Sequence, residues 1–287
     1  MSDQSQPVSQ LKQQQRLDWN AAAAGWKQWW RVFERAAQHV SDRLIELADV
    51  RAGYRVVDLA TGIGEPAISS ARRVGAGGRV VAFDHASGML AVARERAAEL
   101  GLDNLIEFHV GDIEALEADE HSFDAALCRW GLMFVPDLDS AARGIRRALK
   151  PGARFATAVW STPEKVPMIS LAGDAMRALA GLPPRQPGAL DPFRLADVSI
   201  LTRALEAAGF SEVRSEPLEV VFEFASTGEF TRFREGVSAP LRAVLEQVTP
   251  EVREKIMRAT ADAAAPFCRP DGSLRLPNVT ICVAARA

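Results

Sequence analysis

Tyrosine occurs once in this chain, cysteine three times and histidine four times, so little reactive side-chain chemistry is available. The cysteines, Cys128, Cys268 and Cys282, stand far apart and make no C-x-x-C pair. That spacing excludes a zinc ribbon or a redox-active dithiol and leaves three small hydrophobes suited to a reducing compartment. Four residues beyond Tyr54 stands Asp58 rather than lysine. The Tyr-x-x-x-Lys proton relay of short-chain NAD(P) oxidoreductases is therefore missing. His39 falls in an amino-terminal helical segment, His85 beside Asp84, His109 inside a strand and His121 in a polar loop. None is assigned as a catalytic base, and no metal is expected.

An excess of one charge is lacking as well. The net charge is −3, which gives no overall field for nucleic acid or an anionic membrane. No run approaches the roughly 18 apolar residues of a membrane span. The opening "MSDQSQPVSQLKQQQR" has no apolar stretch of the signal-peptide kind. The expectation is a cytoplasmic protein with no stable membrane insertion and no nucleic-acid partner; its oligomeric state is not legible.

What the chain does have is apolar material, 48% of residues, enough for a sizeable core. After a polar tail over residues 1–10, the pattern is helical from about Leu11 to Leu47. Trp26, Trp30 and Phe33 fall there at i, i+4 and i+7, one helical stripe. From "YRVVDLA" onward, strands alternate with helices: "GGRVVAFD", "LIEFHVGD", "SFDAALCRW" and "ARFATAVW" read as strands two to five. "SEVRSEPLEVVFEF" and "LPNVTICVAARA" read as two more. This rhythm predicts an α/β fold with a doubly wound, mostly parallel seven-stranded sheet. It is interrupted over about 161–194 and 226–272, which suit helical insertions that cap a site. The domain reading is a helical lid segment over 1–46 and a core over 47–287 that carries both insertions.

"VVDLATGIGEPA", residues 56–67, joins the first strand to a helix through a glycine turn. Gly62-Ile63-Gly64-Glu65-Pro66-Ala67 literally satisfies G-x-G-x-x-G/A, the dinucleotide fingerprint. Charge argues otherwise. Asp58 and Glu65 flank the turn, and Pro66 removes an N–H that a phosphate would use. Carboxylates there favour a cationic ligand. Asp84 ends strand two, where an acid can accept from both ribose hydroxyls of either cofactor type.

Asp58-x-Ala60-x-Gly62-x-Gly64 resembles the D/E-x-G-x-G-x-G first motif of class I S-adenosylmethionine-dependent methyltransferases, with alanine in place of the first glycine. "RALKPGAR" is similar to a recurrent segment before strand five, and the order of elements over about 47–287 fits. The texture resembles the ubiquinone/menaquinone-type small-molecule methyltransferases. The resemblance implies an antiparallel last strand and S-adenosylmethionine as cofactor, with S-adenosylhomocysteine as product. It implies that Asp58, Ala60, Gly62 and Gly64 form the cofactor turn and Asp84 holds the ribose. Met89 would lie on the adenine face, and Gly111, Asp112 and Ile113 would line the adenine edge. Arg129 would anchor an anionic substrate, sit near the cofactor carboxylate, or form a structural ion pair beneath the site. Trp26 would fold over the cofactor.

For the acceptor, the expected wall is Trp19, Trp30, Trp130, Met133 and Phe134. "CRWGLMF" at the end of strand four is unlike the D/N/S-P-P-Y/F motif of enzymes that methylate DNA amino groups. Arg232, Arg234 and Arg242 suit either an acidic substrate group or a solvated face, and the solvated face is the simpler account. The expected activity is methyl transfer to a small apolar or aromatic molecule. A non-catalytic S-adenosylmethionine-binding regulator and an NAD(P)-dependent oxidoreductase stay open as alternatives.

Overall fold

A computed structural model describes residues 5–186 and 189–287 of the chain. The first element, α1, runs unbroken from Ser5 to Leu47. The expected tail over 1–10 is thus helical from Ser5 on, and residues 1–4 lie outside the described residues. The reason is local: Gln, Lys, Leu and Arg are good helix formers, and Pro7 falls in the first turn, where its missing N–H has no intrahelical partner to lose.

Seven strands follow: β1 (Arg55–Leu59), β2 (Arg79–Asp84), β3 (Ile106–Val110), β4 (Phe123–Arg129), β5 (Leu149–Trp160), β6 (Ser211–Phe224) and β7 (Leu274–Arg286). They form one sheet in the order β3-β2-β1-β4-β5-β7-β6. The pairs from β3 through β5 are parallel, and β7 runs antiparallel to both β5 and β6. Strand order reverses between β1 and β4, which opens a crevice at the carboxyl ends of the strands. β1 and β4 lie at the centre, and Val56, Val57, Leu127 and Cys128 are fully buried, as a sheet covered on both faces requires. β3 is an edge strand, and His109 stands exposed on it, 3.7 Å from Glu107.

The covering helices are α2 (Ala67–Val74), α3 (Ser87–Glu99), α4 (Leu138–Ala148) and α6 (Val198–Ala207). The first insertion contributes α5 (Pro167–Leu179); the second contributes α7 (Thr227–Val237), α8 (Ala239–Gln247) and α9 (Pro250–Ala264). The insertions share a small core of their own, built from Ala172, Met176, Leu241, Leu245 and Ile256.

α1 has two jobs. Its second half is part of the main core, with Ala37, Val40 and Leu44 fully buried, so it is not a separable lid along its length. Its first half crosses above the carboxyl edge of the sheet. There Asn20 accepts the Gly88 amide at 2.7 Å and so caps α3. Gly25 lets α1 touch α7 backbone to backbone, since a Cβ on Gly25 would fall 1.9 Å from the Gly236 carbonyl oxygen.

Candidate active site

The crevice forms a cavity of about 1130 Å³ between the carboxyl ends of the strands and helices α1, α5, α7 and α8. Single-ligand pockets run to about 300–1,000 Å³, so this one has room for two small molecules.

One half of it is the glycine turn after β1. Ala60 and Gly62 line it with φ of 53° and 56°, both in the left-handed region. Alanine tolerates that conformation at a cost of about 1 kcal/mol, which surrounding structure must offset. Ala60 also dictates its neighbour: a Cβ on Gly131 would lie 2.5 Å from that of Ala60. Two expected turn residues sit behind the cavity wall rather than in it. A Cβ on Gly64 would meet Ile68 and Ala93 at 3.0 and 3.3 Å, so this glycine serves the packing of α2 against α3. Asp58 is fully buried, and its Oδ2 accepts the Ala67 amide at 2.9 Å at the start of α2. Its Oδ1 has no partner, and desolvation pushes the carboxyl up to about 7.

Asp84, by contrast, faces the cavity. Its Oδ2 accepts the Gly62 amide at 2.8 Å and its Oδ1 the Ala86 amide at 2.9 Å. Each oxygen keeps a lone pair for a ligand hydroxyl. Burial raises its pKa above the usual carboxylate range despite those bonds. Met89, Gly111, Asp112 and Ile113 line the same side. Asp112 Oδ1 accepts the Glu114 amide at 2.9 Å, and its Oδ2 is bound at 2.7 Å by Lys12 of α1. Lys12 also pairs with Glu114. Nothing local in the sequence marks Lys12, because it lies 100 positions from its partner.

Under the turn lies a group of buried charges. Arg129 meets Glu34 of α1 through two bonds of 2.6 and 2.9 Å and also donates to Ser41 Oγ. The ion-pair alternative for Arg129 is therefore the one observed, although its side chain still reaches the cavity wall. Glu65 lines the cavity too, bound by the Ser69 hydroxyl at 2.7 Å, with Arg96 at 4.0 Å. Arg96 in turn lies 4.4 Å over the Trp30 ring, and Arg31 sits at the same distance. Trp30 thus packs with Arg96 and the α3 cluster and does not line the cavity, contrary to the substrate role expected of it.

The other half of the cavity is apolar. Trp19, Trp130 and Phe134 line it, and Trp26, the residue expected over the cofactor, lines the cavity as well. Trp130 stacks on Trp160 at 4.3 Å and donates its indole N–H to Thr280. Trp26 packs edge-on against Phe33 at 4.8 Å, and its indole N–H is buried without a partner. Met133 is fully buried in the main core and is not a wall residue. Met168, Ile169 and Met176 of α5 and Arg234 of α7 complete the chamber. Arg234 is buried, not solvated, which corrects its reading as a surface residue. Among the described residues, His85 is the one histidine that lines the cavity, on the Asp84 side. Among the described residues no three His, Cys, Asp or Glu side chains group as metal ligands, and no helix is long and apolar enough to cross a membrane.

Residues 51–207, more than half of the chain, match the family described as "Methyltransferase domain". The chain belongs to this family. Family and fold place it among the class I S-adenosylmethionine-dependent methyltransferases. The ubiquinone/menaquinone biosynthesis C-methyltransferase UbiE of Pseudomonas putida is 41% identical over 119 residues, covering 42% of this chain and 46% of its own. The chain thus spans about half the length of the curated relatives it matches. Among solved structures, the [4+2]-cyclase SpnF has a TM-score of 0.56 at 23% identity, covering 88% of this chain and 82% of its own. Phosphoethanolamine N-methyltransferase 2 of Haemonchus contortus, in complex with S-adenosyl-L-methionine, has a TM-score of 0.54 at 19% identity, covering 86% and 52%. At these identities the structures show a shared fold, and a fold shared with a cyclase does not by itself define the reaction.

Proposed function

We propose that the protein transfers a methyl group from S-adenosylmethionine to a small apolar or aromatic acceptor by in-line displacement. The observation that carries this reading is the continuity of the cavity: a carboxylate-lined cradle over β1–β3 opens into an apolar chamber under α5, α7 and α8. When bound, S-adenosylmethionine supplies a methyl group already activated by a sulfonium. The residues present fit it. Asp84 accepts from the ribose hydroxyls with both oxygens held in place by backbone amides. Met89, Gly111, Asp112 and Ile113 take the adenine, and the unpartnered Trp26 N–H is a donor on the cavity wall. Glu65 at the wall, and Asp58 behind it when ionised, place negative potential on the side that takes the ammonium and sulfonium.

The remaining task of the chain is to align two reactants and exclude water. The first half of α1 acts as a lid, and the insertions over about 161–194 and 226–272 cap the acceptor. No histidine reaches the apolar chamber among the described residues, so the acceptor atom is one that needs no histidine base. The UbiE relatives are named for C-methyl transfer in ubiquinone and menaquinone biosynthesis, and a ring of that kind would suit the apolar walls. Yet the family match ends at residue 207, before α7–α9, so the acceptor is set by this chain's own insertion.

Calorimetric titration with S-adenosylhomocysteine and, separately, NADH tests the reading. We expect micromolar binding of the first and none of the second, with Asp84→Ala weakening the first by about 1–3 kcal/mol. NADH binding, or an affinity indifferent to Asp84→Ala, would overturn the assignment. Formation of S-adenosylhomocysteine with a panel of aromatic acceptors then separates an enzyme from a binding protein.

A further inference from the structure

Arg234 is 8% exposed, lines the apolar half of the cavity, and has almost nothing to bind. Its Nη1 meets the thioether of Met168 at 3.4 Å, a weak acceptor, and its Nε has no partner. Among the described residues no carboxylate lies within salt-bridge distance of it. The cavity's carboxylates are engaged elsewhere. Asp84 holds two backbone amides, Glu65 holds Ser69, Asp112 holds Lys12, and Asp191 holds the Phe193 amide. The other buried guanidinium on the cavity wall, Arg129, shows the contrast: two oxygens of Glu34 neutralise it.

Burial lowers the Arg234 pKa only to about 10, so it stays a cation at neutral pH. A buried cation without a counter-charge is costly to keep. Removing it would be a gain in stability if it had no ligand to meet. Its surroundings also fix it in place, because α7 is locked to α1 two residues later, at the close contact of Gly236 with Gly25.

We propose that Arg234 binds an oxyanion on the methyl acceptor, so that the acceptor is an apolar body carrying one carboxylate, phenolate or phosphate. This rests on the methyltransferase reading and narrows it. A planar guanidinium fork matches such oxygens in a way that a lysine ammonium does not. The wall around it, with Met168, Ile169, Met176 and Val237, accommodates the apolar body. The anion then supplies the charge that Arg234 lacks, and fixes which end of the acceptor points away from the cofactor.

The test is calorimetric binding to the full chain, with and without saturating S-adenosylhomocysteine. The probes are matched pairs: naphthoate against naphthamide and decanoate against decanamide, with naphthyl phosphate to separate phosphate from carboxylate preference. At least one acid should bind about tenfold more tightly than its amide. Arg234→Met should erase that preference, Arg234→Lys should keep part of it, and both should bind S-adenosylhomocysteine as the wild type does. Arg234→Met should also raise the melting temperature without ligand, which a merely structural arginine would not allow. Equal binding of acid and amide by the wild type, or a preference that survives Arg234→Met, overturns the proposal. Failure of S-adenosylhomocysteine to bind the wild type would instead sink the methyltransferase reading, and the acid-to-amide ratio measured without it still reports on Arg234.

Discussion

In the half of the cavity built on β1–β3, Asp58, Glu65 and Asp84 are buried carboxyls held by backbone amides or a hydroxyl. In the half roofed by α5, α7 and α8, the buried Arg234 touches a thioether. Each half therefore carries groups that the protein alone leaves incompletely satisfied, carboxyls at one end and a guanidinium at the other. A sulfonium with an ammonium tail complements the first, and an acidic acceptor complements the second. The difference lies in how the charge is held. The carboxyls belong to a local turn and its flanking strand, whereas the guanidinium belongs to a helix fixed by a distant partner.

The strongest way to break this comparison is at the junction of the halves, the Glu34–Arg129 pair that ties α1 to the end of β4. Glu34→Ala strands a buried guanidinium held otherwise by Ser41 and the Ala37 carbonyl. We expect a loss of about 3–5 kcal/mol in urea unfolding, with the Glu34→Leu/Arg129→Met double variant recovering much of it. A single variant as stable as the wild type would mean that the pair holds nothing together.

The next effect is on pH dependence in the cofactor half. Asp58 titrates near 7 in the folded protein, because of desolvation, and near its ordinary value when unfolded. Between those values the folded state holds the extra proton. The contribution is thus fully present at acid pH, falls as pH rises from about 4, and is gone above about 7. Asp58→Asn cannot titrate, so its stability relative to the wild type should rise by up to about 4 kcal/mol across that window. Parallel stability–pH curves for the two proteins would show that Asp58 is ionised throughout and that its buried Oδ1 has found a partner.

The same contrast explains what was legible in advance. The sheet and the placing of Gly62 and Asp84 on the cavity wall follow from short-range patterns: alternating strands, a turn, an acid ending a strand; Met89 and Asp112 were reached only through the family resemblance. Asp58 and Gly64 belong to the same motif, yet their role behind the wall depends on which way the turn faces. Trp30 shares a helical stripe with Trp26 and Phe33, but α3 lies alongside that stripe and takes Trp30 onto Arg96. Met133 and Phe134 are adjacent, and a single turn sends one into the core and the other to the cavity. Lys12 had no local signal, and for Arg234 the sequence left a solvated face and an acidic substrate group as alternatives, because pairing of the one and burial of the other depend on elements far away in sequence.

The smallest effect sharpens the comparison at its mouth. Lys12, half-exposed on the lid end of α1, bonds Asp112 and Glu114. A pair so open to water contributes about 0–1 kcal/mol to the fold, so Lys12→Met should leave the melting temperature almost unchanged. Its consequence should appear in binding. On the proposed reading Asp112 exchanges the lysine for the adenine amino group when the cofactor enters, and the variant has no such bond to give up. S-adenosylhomocysteine should therefore bind Lys12→Met more tightly, by less than about fivefold, with most of the gain lost at high salt, where the competing pair is screened in the wild type too. Weaker binding to the variant would instead place Lys12 as a clamp over the bound cofactor and make the lid, rather than Asp112, the part of the site that the lysine serves.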